Sequence, residues 1–327
     1  VFALRPHCCV LIIRPPPDST PFPYTTLFRA EAFDLRFNPE DRALSKKEIM
    51  EGVKDAEALI CLLTDNIDKE VILSAENLRV ISCYSVGFNN VDLDTASERG
   101  IAVCNTAGVL TESTADLTWA LIMATCRRIT ESERFLREGK FKAWEPLLML
   151  GQDVHGKTLG ILGMGRIGQA VAKRAFGFDM RIIYYNGGWE VGSLAFEAEE
   201  VDLDTLLKES DILTLHTPLT LETRHLIGKA QLELMKPTSV LINTARGAIV
   251  DEAELIMALK DKRIFGAGFD VYEQEPYLPP ELLALDNVVL LPHIGSASIE
   301  TRTKMGMMAI ENAMAVLEGR IPLARVN

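Results

Sequence analysis

Residues 160–169 read GILGMGRIGQ, and the fold turns on whether the glycines at 163, 165 and 168 make an ordinary tight turn or a phosphate-binding loop. A short apolar run, TLGIL (158–162), comes before them. A helical segment, Arg166–Phe176, follows, and then a second apolar run, RIIYY (181–185). In that strand, loop, helix, strand setting the glycines allow the backbone approach that a pyrophosphate needs, and the helix N-terminus turns its free N–H groups toward the anion. The pattern predicts a dinucleotide cofactor held by Gly163, Gly165, Arg166, Ile167 and Gly168, with the Arg166 guanidinium beside the phosphates. Taken alone, Arg166 also reads as a solvated surface arginine.

Downstream of that unit the apolar runs continue as DILTLH (211–216), SVLINTA (239–245), FGAGFDV (265–271) and VVLL (288–291). With the first two they predict six strands in a doubly wound parallel sheet. Upstream, KKEIMEGV, AEALICLL, IDKEVILSAE, LRVISCYS, LDTASERG and IAVCN alternate helix and strand patterns from residue 45, so a second parallel α/β sheet is expected. Between the two runs the stretch from Thr111 to Glu138 reads as one long amphipathic helix linking the domains, its opening TEST supplying hydroxyl caps. The spacing of Met305, Met308, Ala309 and Val316 predicts a helix over 299–318 that ends at Gly319 and returns to the first domain. Its methionines read as core packing.

With 327 residues, 48% of them hydrophobic, the chain can bury two ordinary cores. Its net charge of −12 leaves no excess of cations to displace counterions from a phosphate backbone, which argues against a nucleic-acid partner. The six cysteines (8, 9, 61, 83, 104 and 126) form no CxxC pair and sit mostly in apolar runs. Buried free thiols in a reducing cytoplasm are expected, with no resident metal. No apolar run reaches the roughly 18 residues of a membrane span, and CCVLII near the start is too short for a signal core.

Segment 15–29, PPPDSTPFPYTTLFR, carries five prolines in its first nine positions, which excludes a helix there. Its TPFPYTTLFR resembles the conceptual translation of a sequencing-library adapter. Residues 1–29 are therefore expected to be a sequence artefact or a disordered arm, although CVLII (9–13) still reads as a strand. The next strand is AFDLRFN (32–38), and the helix expected between the two is overwritten.

At the end of the second coenzyme strand, IIYYNGGWE (182–190), an acid would bond the adenosine ribose and repel a 2′-phosphate, and a base would do the reverse. Asn186, Gly187 and Gly188 do neither, and the three also read as a permissive turn.

Three ionisable residues lie near the carboxyl ends of successive strands: Arg246 in INTARGAIVDE, Glu275 in GAGFDVYEQEP and His293 in LLPHIGSAS. Singly, each has an ordinary structural explanation. Together, in that order and after GMGRIG, they resemble the D-isomer-specific 2-hydroxyacid dehydrogenase family from about residue 33 to the end. NPEDRALSKKEI, GVLTESTADLTWAL, AWEPLLMLGQDVHGKTLGI and PHIGSASIETR are most similar to the glyoxylate/hydroxypyruvate reductases within it.

The resemblance implies a flavodoxin-like substrate domain at about 30–106 and 295–327, a Rossmann-type coenzyme domain at about 107–294, and a cytoplasmic homodimer. It implies that Arg246 binds a 2-oxo acid, that His293 donates the proton, and that Glu275 pairs with the imidazole. It places the substrate carboxylate on the amides of Val86 and Gly87, and Trp144 at the substrate pocket. Thr114, Asn186, Pro218, Thr244, Asp270 and Gly295 would line the cofactor. Physical chemistry agrees, because reducing a 2-oxo acid needs a fixed cation and a proton donor, and a carboxylate beside an imidazole favours its charged form. The implied reaction is reduction of glyoxylate or hydroxypyruvate to glycolate or D-glycerate. Related reductases commonly carry Asn-Arg where this chain has Asn186-Gly187: the Asn suits an NADP(H)-tolerant lineage while the phosphate-binding cation is gone, so NADP(H) is favoured with NAD(H) usable. Two rivals stand beside this reading: a reductase of larger 2-oxo acids such as 2-ketogluconate, which would share the catalytic residues, and a dinucleotide-sensing module like the corepressors of this fold, against which the complete Arg, Glu and His set argues.

Overall fold

Helices and strands alternate along the chain, and each strand pairs parallel to its neighbours, which requires the crossover helices that the sequence supplies. The computed structural model describes residues 9–11, 35–37 and 42–327. The suspect segment 15–29 and the overwritten helix therefore lie outside the described residues. The chain divides into two units, Val1–Leu110 with Ala297–Asn327, and Thr111–Ser296.

The first unit holds β1 (Cys9–Leu11), β2 (Leu35–Phe37), α1 (Lys46–Val53), β3 (Ala58–Cys61), α2 (Lys69–Ser74), β4 (Val80–Cys83), α3 (Leu93–Glu98) and β5 (Ala102–Cys104). Their order, β2-β1-β3-β4-β5, is the flavodoxin-like 2-1-3-4-5 arrangement. Ile49 and Val53 of α1 and Val71 and Ile72 of α2 pack with Leu59, Ile81 and Val103 of the sheet. The helix Ile299–Leu317 packs against β3, β4 and β5, with Met305, Ala309 and Ile310 buried. Ser82 Oγ donates to Ala309 O at 2.8 Å and Asn312 Nδ2 to Asn105 O at 3.0 Å, tying that helix to the sheet. Ser45, Asp68 and Asp92 cap α1, α2 and α3, satisfying amides that the first turn leaves unpaired.

The second unit runs α4 (Thr111–Cys126), α5 (Ile129–Arg137), β6 (Thr158–Leu162), α6 (Arg166–Ala175), β7 (Arg181–Tyr185), β8 (Glu199–Glu200), α7 (Leu203–Glu209), β9 (Ile212–Leu215), α8 (Lys229–Leu234), β10 (Val240–Asn243), α9 (Glu252–Lys260), β11 (Gly266–Phe269), α10 (Pro280–Leu283) and β12 (Val288–Leu290). The strand order β12-β11-β10-β9-β6-β7-β8 reverses direction between β6 and β9, and such a switch point opens a crevice at the carboxyl edge. Both faces are buried. Ile161, Ile212 and Ile242 join one core with α4 and α6, while Leu213, Leu215 and Leu241 join the other with α7 and α9.

Three expectations change. The sheet has seven strands rather than six: β8 is a two-residue, glutamate-only edge pairing with Ile183 and Tyr184, and it carries no apolar period to read. The stretch from Thr111 to Glu138 is two helices, because Arg128 adopts φ +52 and breaks the ladder without a glycine or proline to announce it. The TEST hydroxyls lie inside α4, not ahead of it: Thr111 is its first residue, and Ser113 Oγ donates to Gly295 O at 3.1 Å. Cys61, Cys83, Cys104 and Cys126 are free and buried. Burial pushes the thiols of Cys104 and Cys126 up to about 11 and about 12, which keeps them protonated at neutral pH.

Candidate active site

The glycine loop has the stereochemistry of a cradle. Gly163 sits at φ +98, and a Cβ there would lie 2.7 Å from Thr217 N, so no larger residue fits between β6 and the end of β9. At Gly168 a Cβ would run into the Gly163 carbonyl. Gly165, by contrast, faces open space with nothing within 4 Å, and α6 starts on it with no side-chain cap. Open room over uncapped amides suits a pyrophosphate, which would meet the N–H groups and the positive end of the α6 dipole. Arg166 is exposed beside it, and Ile167 is half-buried among the apolar residues of α6.

Asn186 lies at the end of β7 with its amide committed. Its Oδ1 accepts from Met164 N at 2.8 Å, and its Nδ2 donates to Trp189 O at 2.8 Å. Pro218, past the end of β9, accepts from Thr223 Oγ1 at 2.7 Å. Just before it, part of His216 is reachable by solvent but neither ring nitrogen is, and among the described residues neither has a hydrogen-bond partner. Burial depresses its pKa to about 3, so this imidazole is neutral.

The chemical residues come from the same edge of the sheet. Arg246 follows β10 and is held where Asn243 Nδ2 donates to its carbonyl at 2.9 Å and its own Nη1 donates to Ala245 O at 2.6 Å. Burial lowers its pKa and the charge of Glu275 opposes that; an arginine stays cationic under either influence. Glu275 follows β11. Its Oε1 accepts from Tyr272 N at 3.0 Å, and its Oε2 lies 2.7 Å from His293 Nδ1. Burial works to raise this carboxyl, but the His293 hydrogen bond and charge, the Tyr272 amide and Arg246 outweigh it and hold Glu275 below the usual range. With Nδ1 engaged by an ionised carboxylate, Nε2 is the His293 nitrogen left for chemistry.

His293 has φ +56, and the loop that bends it there is pinned by Asp270. Asp270 Oδ1 accepts from Ile294 N and Oδ2 from Gly295 N, both at 2.7 Å, in a carboxylate that is almost fully buried. Burial raises its pKa despite those two amides. A Cβ on Gly295 would lie 3.1 Å from Asp270 Oδ2 and 3.6 Å from Thr114 Oγ1, so this corner admits only glycine without shifting its neighbours. Thr244 Oγ1 is 2.9 Å from Thr118 Oγ1, which donates to Thr114 O at 2.8 Å. The second unit thus brings Thr114, Arg246, Thr244, Asp270, Glu275, His293 and Gly295 to the carboxyl ends of β10 to β12 and the start of α4. Thr118 belongs with them, and its place one turn after Thr114 was the available signal.

Val86 and Gly87 lie in the first unit, beyond β4, with Val86 O accepting from Asn105 Nδ2 at 2.8 Å and Gly87 O from Ser85 Oγ at 2.6 Å. Trp144 stands 80% exposed on a segment with Phe141 and Leu147, also exposed. A doubly wound sheet with a glycine cradle at its switch point, and a cation, a carboxylate and an imidazole along the same edge, defines a dinucleotide-dependent oxidoreductase.

Comparison with known proteins agrees. Residues 119–295 match the family model "D-isomer specific 2-hydroxyacid dehydrogenase, NAD binding domain". A glyoxylate reductase of Korarchaeum cryptofilum is 53% identical over 304 residues, covering 91% of this chain and 90% of that protein. A crystal structure of a Thermus thermophilus protein superposes with a TM-score of 0.89 at 46% identity, covering 98% of this chain and 100% of that one. An NADPH-dependent glyoxylate/hydroxypyruvate reductase of Sinorhizobium meliloti, solved with citrate, gives 0.83 at 30% identity, with 98% of each chain covered. The chain belongs to the D-isomer-specific 2-hydroxyacid dehydrogenase family, and its cofactor is a nicotinamide dinucleotide.

Proposed function

We propose that this enzyme reduces glyoxylate and hydroxypyruvate to glycolate and D-glycerate. The observation that carries the reading is the 2.7 Å pair of His293 Nδ1 and Glu275 Oε2, with Arg246 following the neighbouring strand β10. The glyoxylate-reductase relatives support the choice of substrate. When bound, the dinucleotide supplies the hydride. Arg246 takes the 2-oxo acid through its carboxylate and carbonyl oxygen, and its fixed charge stabilises the negative charge that develops on that oxygen. His293 delivers a proton from Nε2 to the same oxygen, and ionised Glu275 holds the imidazole in the tautomer and orientation for that transfer. Thr114, Thr244 and Gly295 are proposed as the cofactor's lining.

Both NADH and NADPH are proposed as donors. The Asn186–Gly188 turn has no carboxylate to repel a 2′-phosphate and no cation to bind one, and an NADPH-dependent relative supports the phosphorylated form. A homodimer is proposed in which Phe141, Trp144 and Leu147 are covered by a second copy, since exposed apolar rows of this kind mark association surfaces. The four buried free thiols support a cytoplasmic setting, and among the described residues no helix is long and apolar enough to cross a membrane.

The deciding experiment is the initial rate of hydroxypyruvate and glyoxylate reduction by the purified protein, with NADH and NADPH in parallel. Turnover on these acids is the expected result. Turnover confined to larger 2-oxo acids, or nucleotide binding without turnover, would overturn the substrate assignment.

A further inference from the structure

The turn after β7 ends in an exposed tryptophan that the reaction leaves without a role. Trp189 is 79% exposed, an unusual position for so large an apolar ring. Its backbone is nonetheless held in place. Gly187 and Gly188, at φ +63 and +82, turn the chain back on itself, and Trp189 N donates to Asn186 O at 3.1 Å. Asn186 Nδ2 closes the turn on Trp189 O at 2.8 Å, and Asn186 Oδ1 holds Met164 N of the glycine loop at 2.8 Å. One amide side chain therefore bolts the tryptophan's backbone to the loop over which the pyrophosphate fits.

The same turn has lost the groups that read a nucleotide by charge. Asn186 is committed to backbone partners, and the next two residues have no side chains. A Cβ on Gly187 would lie 3.7 Å from Trp189 Cδ1 and meet nothing else within 4 Å, so the indole edge lies in van der Waals contact with the position a Cβ at 187 would take. In folds of this type the adenosine half of the dinucleotide lies at the end of the second strand.

We propose that Trp189 is a stacking platform for the adenine ring, and that this chain recognises the adenosine half of its cofactor by π-contact with the base rather than by the ribose substituent. Every base offers a π-face, and stacking is indifferent to a phosphate on the ribose. The platform therefore holds NADH and NADPH alike.

The inference rests on the dinucleotide reading, and calorimetric titration with NADH, NADPH, ADP-ribose and reduced nicotinamide mononucleotide separates the two. Trp189→Ala is expected to weaken the three adenine-bearing ligands by a common factor of about tenfold, with the mononucleotide unaffected and Trp189→Phe restoring most of the loss. Unchanged binding of NADH and NADPH by Trp189→Ala would overturn the platform while leaving the cofactor intact. An equal loss for the mononucleotide, which has no adenine, would reduce Trp189 to a structural part of the turn and overturn it as well. Failure of the unmutated protein to bind any adenine nucleotide would sink both readings.

Discussion

Glu275 Oε2 meets His293 Nδ1 at 2.7 Å across two loops that leave neighbouring parallel strands. The pair engages Nδ1 and leaves Nε2 for the proposed proton transfer. His293→Ala is expected to lower kcat by about a hundredfold or more, the usual loss for a general acid. Near-normal turnover would remove His293 from the chemistry.

Glu275 sets an acid limit on activity. Its carboxyl is held below the ordinary glutamate range, so the carboxylate that meets the imidazole is present above that range and is lost as pH falls through the lowered value. A profile of kcat/KM against pH should fall on its acid side in the parent enzyme. Glu275→Gln, which still accepts a hydrogen bond but does not titrate, should be slower throughout and lack that acid-side fall. The same acid limb in both proteins would assign it to another group.

Asp270 holds the loop that carries His293 through the amides of Ile294 and Gly295. Asn at this position puts an N–H₂ against one of the two amides that the carboxylate now accepts, leaving a buried donor unsatisfied at a cost of about 1–3 kcal/mol. Asp270→Asn should lower both Tm and kcat. A variant with parental Tm and kcat would show that the loop holds itself.

His216 links stability to pH in the opposite sense to a paired histidine. Its folded value of about 3 lies below the ~6.5 of an unfolded imidazole, so the unfolded chain binds the proton in that interval. Its contribution is complete above pH ~6.5 and declines on acidification by up to ~1.4 kcal/mol per pH unit. His216→Leu should flatten urea-unfolding stability between about pH 7 and pH 5, where carboxylates scarcely titrate. An unchanged slope would mean that the ring becomes hydrated before the chain unfolds.

Gly187→Arg restores a cation beside the ribose, at the cost of placing a side chain at φ +63. The ratio of kcat/KM for NADPH to that for NADH should rise several-fold. A constant ratio would show that the turn does not face the 2′ position.

What the sequence disclosed follows from how local each signal is. Gly163 and Gly168 are readable because their demand, a positive φ or a missing Cβ, is met by one residue type. Arg246, Glu275 and His293 could be placed at strand ends because strands with two buried faces mark their own carboxyl ends, while their roles come from the family resemblance. The division of α4 from α5 was not, since Arg128 adopts φ +52 under tertiary packing without a breaker in the sequence. Nor was the seventh strand, whose two glutamates lack a period. The double duty of Asn186 was hidden for a different reason: both its partners are backbone atoms, one of them 22 residues away, which no side-chain pattern encodes.

The division of the chain sets an order of assembly on the ribosome. The second unit is continuous, 111–296, and all of its strands are synthesised before residues 297–327 are added. The first unit begins earlier but finishes later. Its sheet lacks the helix Ile299–Leu317, and Val103 O lacks the amide of Val326, until residues 299–326 are made. Until residues 299–317 are added, β3, β4 and β5 lack the cover of that helix on one apolar face, the kind of surface that makes incompletely folded chains prone to aggregate.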